Sequence, residues 1–365
     1  MELNIQDKSL HPIIEKIRSG ERLTLNDGLI MYQSPDLLTI AQLANELNLK
    51  MNGNKVYFIQ NLYINPTNVC EANCKFCGYR KSPGEEGAYT MGMDELLQYV
   101  ADRYNDNIRE FHIVGGHNHT VDFNYYVDTI KTLKKHYPHI TIKAYTSAEL
   151  VFFSKISGLS VEEVLKILVE AGLESLPGGG AEILTERYRL KMSPEKASTQ
   201  EWLDTHELAH SMGIKTHTTM LYGLIETLEE RLQHMTLVRE LQDKFHGFLC
   251  FIPLAVQPKK ATSSIKMRTS AIDDLKTLAI SRLMLDNFDH IKAYWINIGT
   301  QLTQLSLGYG VSDIHGTLVE ERISHSVGAL TQSGLTKDEL LWLIKGADKI
   351  PVERDTFYNT VKIYD

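Results

Sequence analysis

Residues 70–77 read CEANCKFC, which places three of the chain's four cysteines within eight residues, separated by three and then two others. An odd number of thiols cannot pair off, and neighbours this close would close only tiny loops, so a disulfide framework is a poor reading. Three soft thiolates on one loop are instead a ligand set for zinc or for an iron-sulfur cluster. Structural zinc usually takes four ligands as two separated pairs, and the sequence has no second pair. The remaining Cys250 lies inside the apolar run GFLCFIPL and reads as a small core residue. A four-iron cluster held by three cysteines fits better, because it leaves one iron open to a substrate.

The elements that must position this loop follow from periodicity. Helical patterns run from Leu10 to Ser19 and from Ser34 to Leu47, with Ser34 or Asp36 able to cap the second. After Tyr63, short β-branched and aromatic runs alternate with amphipathic segments of helical length, the signature of repeated βα units. Candidate strands are 61–67, 110–116, 141–147, 174–180, 215–223, 247–254, 292–299 and a weak eighth at 302–307. Eight units over roughly 250 residues predict an α/β fold, a (β/α)8 TIM-type barrel. The expected organisation is a helical preface at 1–60, the barrel at 61–325, and a helical extension packed on it at 326–365. A doubly wound sheet is the runner-up, but no GxGxxG follows the first strand. Most candidate strands end in polar residues or glycine, and in a barrel those ends share the face that carries the active site.

Composition narrows the function further. A hydrophobic content of 43% supplies a sizeable core, and a net charge of −8 argues against a broad nucleic-acid surface. No apolar run reaches the ~20 residues of a membrane span. The first residues lack the order of a secretory signal, so a cytoplasmic location with reduced thiols is expected.

The order Cys70, Cys74, Phe76, Cys77 resembles the motif of the radical S-adenosylmethionine (SAM) superfamily: Cys, three residues, Cys, one residue, an aromatic, Cys. The resemblance implies a 4Fe-4S cluster on Cys70, Cys74 and Cys77 whose open iron binds SAM, which is consumed as a co-substrate through a 5′-deoxyadenosyl radical. Such chemistry needs a low-potential cluster and a dry pocket. In the same picture Phe76, Tyr79, Gly115, Gly116, Ser147, Glu149, Glu182 and Arg189 are candidates for the SAM pocket, Arg189 either pairing with the SAM carboxylate or standing as a solvated helix arginine.

Within the superfamily, INPTNVCEANCKFCGYRK, LESLPGGGAEIL, TTMLYGLIETLEER and RLMLDNFDHIKAYW resemble the radical enzymes of the menaquinone futalosine pathway. FHIVGGH at 111–117 and KAYW at 292–295 resemble the aminodeoxyfutalosine synthases, where the dehypoxanthinyl futalosine cyclases tend toward QGG and ASW. Thr120 and Val121 stand where proline is expected, and CGYR replaces Cys-Ala-Phe. This branch implies 3-[(1-carboxyvinyl)oxy]benzoate as substrate and a flavodoxin or ferredoxin as reductant. A dianionic substrate demands cationic or hydrogen-bonding groups. The candidates near strand ends are His117, His119, His217, Lys143, Tyr145, Tyr294 and Asn297, with His117 the expected catalytic residue because it adjoins the glycine turn.

Overall fold

The computed structural model describes residues 4–257 and 269–365. Its strands are β1 (Lys55–Ile59), β2 (Asn61–Ile64), β3 (Glu110–Ile113), β4 (Thr141–Ala144), β5 (Thr216–Tyr222), β6 (Phe248–Ala255), β7 (Asp313–Gly316), β8 (Ile350–Arg354) and β9 (Thr360–Ile363). Parallel pairing joins β2 to β3 to β4, β5 to β6, and β7 to β1 to β8. Single bridges connect these sheets: Lys143 to Ser175 and Leu176 to Thr216 link β4 to β5, while Phe251 to Ile291 and Lys292 to Asp313 link β6 to β7. The backbone N–H of Tyr63 donates to Leu318 at 3.3 Å, bringing the chain after β7 back to β2. The result is a TIM-barrel-like succession of eight parallel segments, assembled from short sheets and bridges and not from one continuous closed ladder.

Side-chain alternation makes each segment serve two environments. Leu62, Ile64, Phe111, Ile113, Ile142 and Ala144 belong to one apolar cluster with the surrounding helices. The intervening Tyr63, His112 and Lys143 line the interior cavity instead. The short strands thus bury apolar groups outward and polar groups inward.

Several boundaries differ from expectation. Residues 300–306 form a helix, since Leu302 and Leu305 carry helical spacing, and the eighth parallel segment is the four-residue DIHG of β7. The 174–180 segment contributes only the bridges at Ser175 and Leu176, because Pro177 and three glycines cannot sustain a ladder. In the preface, Asp36 caps the helix Leu37–Asn52 as read. An additional helix, Leu25–Gln33, starts at a Thr24/Asp27 capping box. The preface also contains β1. The extension has one sizeable helix, Lys337–Lys345, and then two strands, β8 pairing with β1 so that the extension and the preface share a sheet.

The join between the fourth segment and β5 leaves no room for a side chain at Gly178, where a Cβ would lie 2.5 Å from the Thr218 Cα. Gly178→Ala is expected to cost roughly 1–3 kcal/mol in urea denaturation. Gly308→Ala, with its nearest neighbour at an ordinary 3.6 Å, is expected to stay within about 0.5 kcal/mol. Equal stability of the two variants would contradict the packing argument.

Candidate active site

The loop after β2 is held as a compact wrap. The Cys70 N–H donates to Lys81 at 3.1 Å, the Arg80 Nε donates to the Cys70 carbonyl at 3.1 Å, and the Cys77 N–H donates to Cys74 at 3.1 Å. Cys70, Cys74 and Cys77 all line one cavity of about 310 Å³. Cys74 is buried and the other two are half-buried, and none of the four cysteines is in a disulfide. Cys250 is fully buried on β6 and takes no part in the cavity.

The glycine turn after β3 fits against this loop. A Cβ on Gly116 would lie 2.1 Å from the Val69 carbonyl oxygen and 2.9 Å from the Cys70 Cβ. The Gly116 N–H donates to Thr67 at 3.0 Å, and the His117 N–H donates to the Cys70 Sγ at 3.2 Å. Gly115 donates its N–H to Glu149 Oε1 at 3.0 Å. Glu149 also completes a capping box with Thr146, accepting from its N–H at 2.7 Å and its hydroxyl at 2.8 Å. Burial outweighs these hydrogen bonds and pushes the Glu149 carboxyl up to about 7.

Across the cavity, Glu182 sits at a positive φ of 47° and pairs with Lys196 at 2.8 Å. The Lys196 ammonium stands 5.9 Å above the Phe76 ring, and Tyr79 also lines the cavity. Arg189 is buried but does not reach the cavity: its guanidinium donates to Gly180 at 3.2 Å, to Ala181 at 2.8 Å and to Ala197. It staples the PGGG turn to the loop bearing Lys196. Ser147 is likewise fully buried and outside the lining, at the start of the helix Ser147–Ser157.

Of the other candidates, His117, His217, Lys143, Tyr294 and Asn297 line the cavity. His117 stacks on Phe152 with centroids 4.9 Å apart, and burial draws its imidazole down to about 3, so it is neutral at working pH. His119 instead projects outward beside Glu71, and the Tyr145 hydroxyl donates to the Tyr126 carbonyl among the helices. The sequence reading missed His112, Lys196, Lys292, His315 and Glu321. His112 alternates with the apolar Phe111 and Ile113, a signal available in the sequence. Lys196 lies in the connection SPEKAS, which reads as surface, and nothing local marks it.

The strap from Leu318 to Gly334 covers the cavity beside the cysteine loop. Val327 packs where a Cβ on Gly78 would fall 2.6 Å away, and Ser324 donates to the Asn297 Oδ1 at 3.1 Å. Glu321 accepts from the Ser324 N–H at 2.8 Å and pairs with the His325 Nδ1 at 2.8 Å. That partnership raises the imidazole to about 9.

The donor set suits an iron-sulfur cluster. Burial raises the Cys70 thiol and pushes Cys74 up to about 12, so metal must displace their protons, and the His117 N–H is placed to stabilise a bound sulfur. Among the described residues no three Cys, His, Asp or Glu side chains meet closely enough for a single metal ion. Among the same residues no helix is long and apolar enough to cross a membrane.

Comparison with known proteins agrees with this arrangement. Residues 64–238 match the radical SAM superfamily, and residues 245–364 match the CofH/MqnC C-terminal region. The chain is 47% identical to an aminodeoxyfutalosine synthase of Thermus thermophilus, over 99% of this chain and 98% of that one. It is 33% identical to a cyclic dehypoxanthine futalosine synthase of Halalkalibacterium halodurans, over 98% and 96% of the two chains. In fold it is similar to the FeFe-hydrogenase maturase HydG, with a TM-score of 0.74 at 20% identity, covering 94% of this chain and 75% of that one.

Gly116→Ala is expected to reduce iron and sulfide content after reconstitution severalfold, because the Val69 backbone cannot yield without moving Cys70. Full loading would contradict the fit. For the strap, an imidazole raised from 6.5 to about 9 contributes stability that is complete below 6.5 and lost as pH climbs through 9. Hydrogen exchange of residues 321–331, corrected for intrinsic rates, is expected to accelerate between those values, and His325→Gln to remove the step. A pH-independent protection in the unaltered chain would refute it.

Proposed function

Since the chain belongs to the radical SAM superfamily, in the branch of the aminodeoxyfutalosine synthases, we propose that it joins the adenosyl part of SAM to 3-[(1-carboxyvinyl)oxy]benzoate, releasing methionine and forming 6-amino-6-deoxyfutalosine. The chain is a radical SAM enzyme of menaquinone biosynthesis. The observation that best supports the finer reading is the convergence of three cysteines, a glycine turn and two buried carboxylates on one cavity. In this reading Cys70, Cys74 and Cys77 hold a 4Fe-4S cluster. When bound, that cluster supplies one electron to the SAM sulfonium.

The chain's own residues bind, orient and exclude water. Phe76, Tyr79, Gly115, Gly116, Glu149 and Glu182 wall the SAM half of the cavity, and Lys196 holds Glu182 in place. Arg189 and Ser147 act from behind that wall, Arg189 by fixing the carbonyls of Gly180 and Ala181. In the proposed reaction the adenosyl 5′-carbon would bond to the enol-ether CH2, the adjoining ether carbon would bond to the ring carbon as that ring carbon's C–O bond breaks, so that the oxygen stays as the ketone, and the vinyl carboxylate would leave as CO2 or bicarbonate. One electron enters and one leaves, so the sum is redox-neutral. Neutral His117 is a hydrogen-bond and proton-transfer partner for the substrate. The reductant is a flavodoxin or ferredoxin, and the location is cytoplasmic.

The test is an anaerobic reaction of reconstituted, reduced protein with SAM and the enol ether, followed by mass spectrometry. Aminodeoxyfutalosine is expected, and a Cys74→Ala control is expected to yield none. Cleavage of SAM to 5′-deoxyadenosine with the benzoate intact would overturn the assignment. His117→Ala with full cluster content is expected to lose about 100-fold or more in turnover; an unchanged rate would remove His117 from the chemistry.

A further inference from the structure

Below the strand ends that face the cysteine loop lies a second layer of inward side chains. His112 on β3 and Lys143 on β4 are direct register partners, each three residues before the turn that leads to the cysteine side. His217 on β5 and Lys292, bridged to β7, line the same part of the cavity. The layer is charged and buried. Lys143 pairs with Glu110 at 2.6 Å, while Asp313 faces Arg354 at 2.7 Å and Lys292 at 3.6 Å. Arg354 arrives from β8 and takes the shorter contact with Asp313, leaving Lys292 the weaker one.

Among the described residues, then, three cations, Lys143, Lys292 and Arg354, share two carboxylates, Glu110 and Asp313. Glu321, nearer the mouth, is answered by His325. A surplus buried charge is costly unless something pairs with it. His217 is only 1% exposed, yet neither of its ring nitrogens has a hydrogen-bond partner. Burial and the neighbouring lysines keep that ring neutral, so it retains one N–H to donate. An excess positive charge beside an unused donor, in a cavity wall, describes an anion site awaiting its anion.

We propose that Lys143, Lys292 and His217 form a carboxylate-binding subsite in the floor of the cavity, and that it takes the ring carboxylate of the substrate. The second half of this statement rests on the reaction proposed above. In that substrate the vinyl carboxylate is bonded next to the reacting CH2 and must stay with it near the cysteine side. The ring carboxylate, on the far edge of the arene, is the group that reaches the floor. Arg354 is a positioning residue here, because it competes for Asp313 and so leaves Lys292 available to a ligand.

The probe is 3-methoxybenzoate, which carries the ring carboxylate alone, titrated calorimetrically into the full chain beside its methyl ester. The acid is expected to bind and the ester to bind at least tenfold more weakly. Lys292→Met and His217→Ala are each expected to weaken the acid about ten- to a hundredfold, the usual worth of a charged hydrogen bond. Lys292→Met removes the surplus cation, so its melting temperature is expected to hold or rise, whereas a merely structural lysine would lower it. Unchanged affinity in variants that keep their stability, or an ester bound as tightly as the acid, would overturn the subsite. Should Lys292→Met not fold, Lys292→Arg, expected to retain binding, and the acid-to-ester ratio of the unaltered chain decide the matter. Acid-selective binding lost in the variants, with no aminodeoxyfutalosine formed from the enol ether, would uphold the subsite and overturn the reaction instead.

Discussion

A side chain at residue 116 would have to share space with the Val69 carbonyl, 2.1 Å from its Cβ. That exclusion is the constraint on which the site depends. Because glycine stands there, the turn after β3 lies flat against the cysteine loop, and the next N–H reaches the Cys70 sulfur. The turn is tied in the other direction by Glu149, which accepts from Gly115 while capping its own helix. One backbone contact therefore links β2, β3 and the helix after β4, and holds the first thiol where the cavity begins.

Beneath that contact the interior is polar, and this shapes the barrel. Inward lysines, histidines and carboxylates must be ion-paired or hydrogen-bonded to be tolerated. Glu110, held down to about 2 chiefly by Lys143 against the cost of burial, illustrates how strongly the pairing must act. The apolar work falls to the outward side chains and the helices around them. Even β8, in the tail, participates, since Arg354 extends the tail's influence to Asp313 inside the ring. The tail completes the interior electrostatics as well as closing the sheet beside β1.

What could be read in the sequence was local. The cysteine spacing, the glycine pair and the carboxylates at 149 and 182 lie within a few residues of recognisable turns, and all of them line the cavity. Direction and long-range partnership were not legible. Arg189 resembles a ligand-binding arginine in a string, but its two terminal guanidinium nitrogens are taken by three backbone carbonyls that only the fold brings together. Lys196 sits in a connection with no periodicity, and its value comes from Glu182, fourteen residues away. The eighth segment escaped because DIHG is too short and too polar to show a strand pattern, while the helical 300–306 offered apolar residues nearby. His119 and Tyr145 erred in the opposite sense, being close to strand ends but aimed away.

In the proposed cluster, three thiolates would leave one iron for SAM. Electron paramagnetic resonance of the reduced, reconstituted full chain, with and without SAM labelled in its amino nitrogen and carboxylate oxygens, addresses this directly. A spectrum that changes on adding SAM and acquires hyperfine coupling to those labels is the predicted result. An iron-sulfur signal indifferent to SAM, or a protein that takes up no iron, would contradict it.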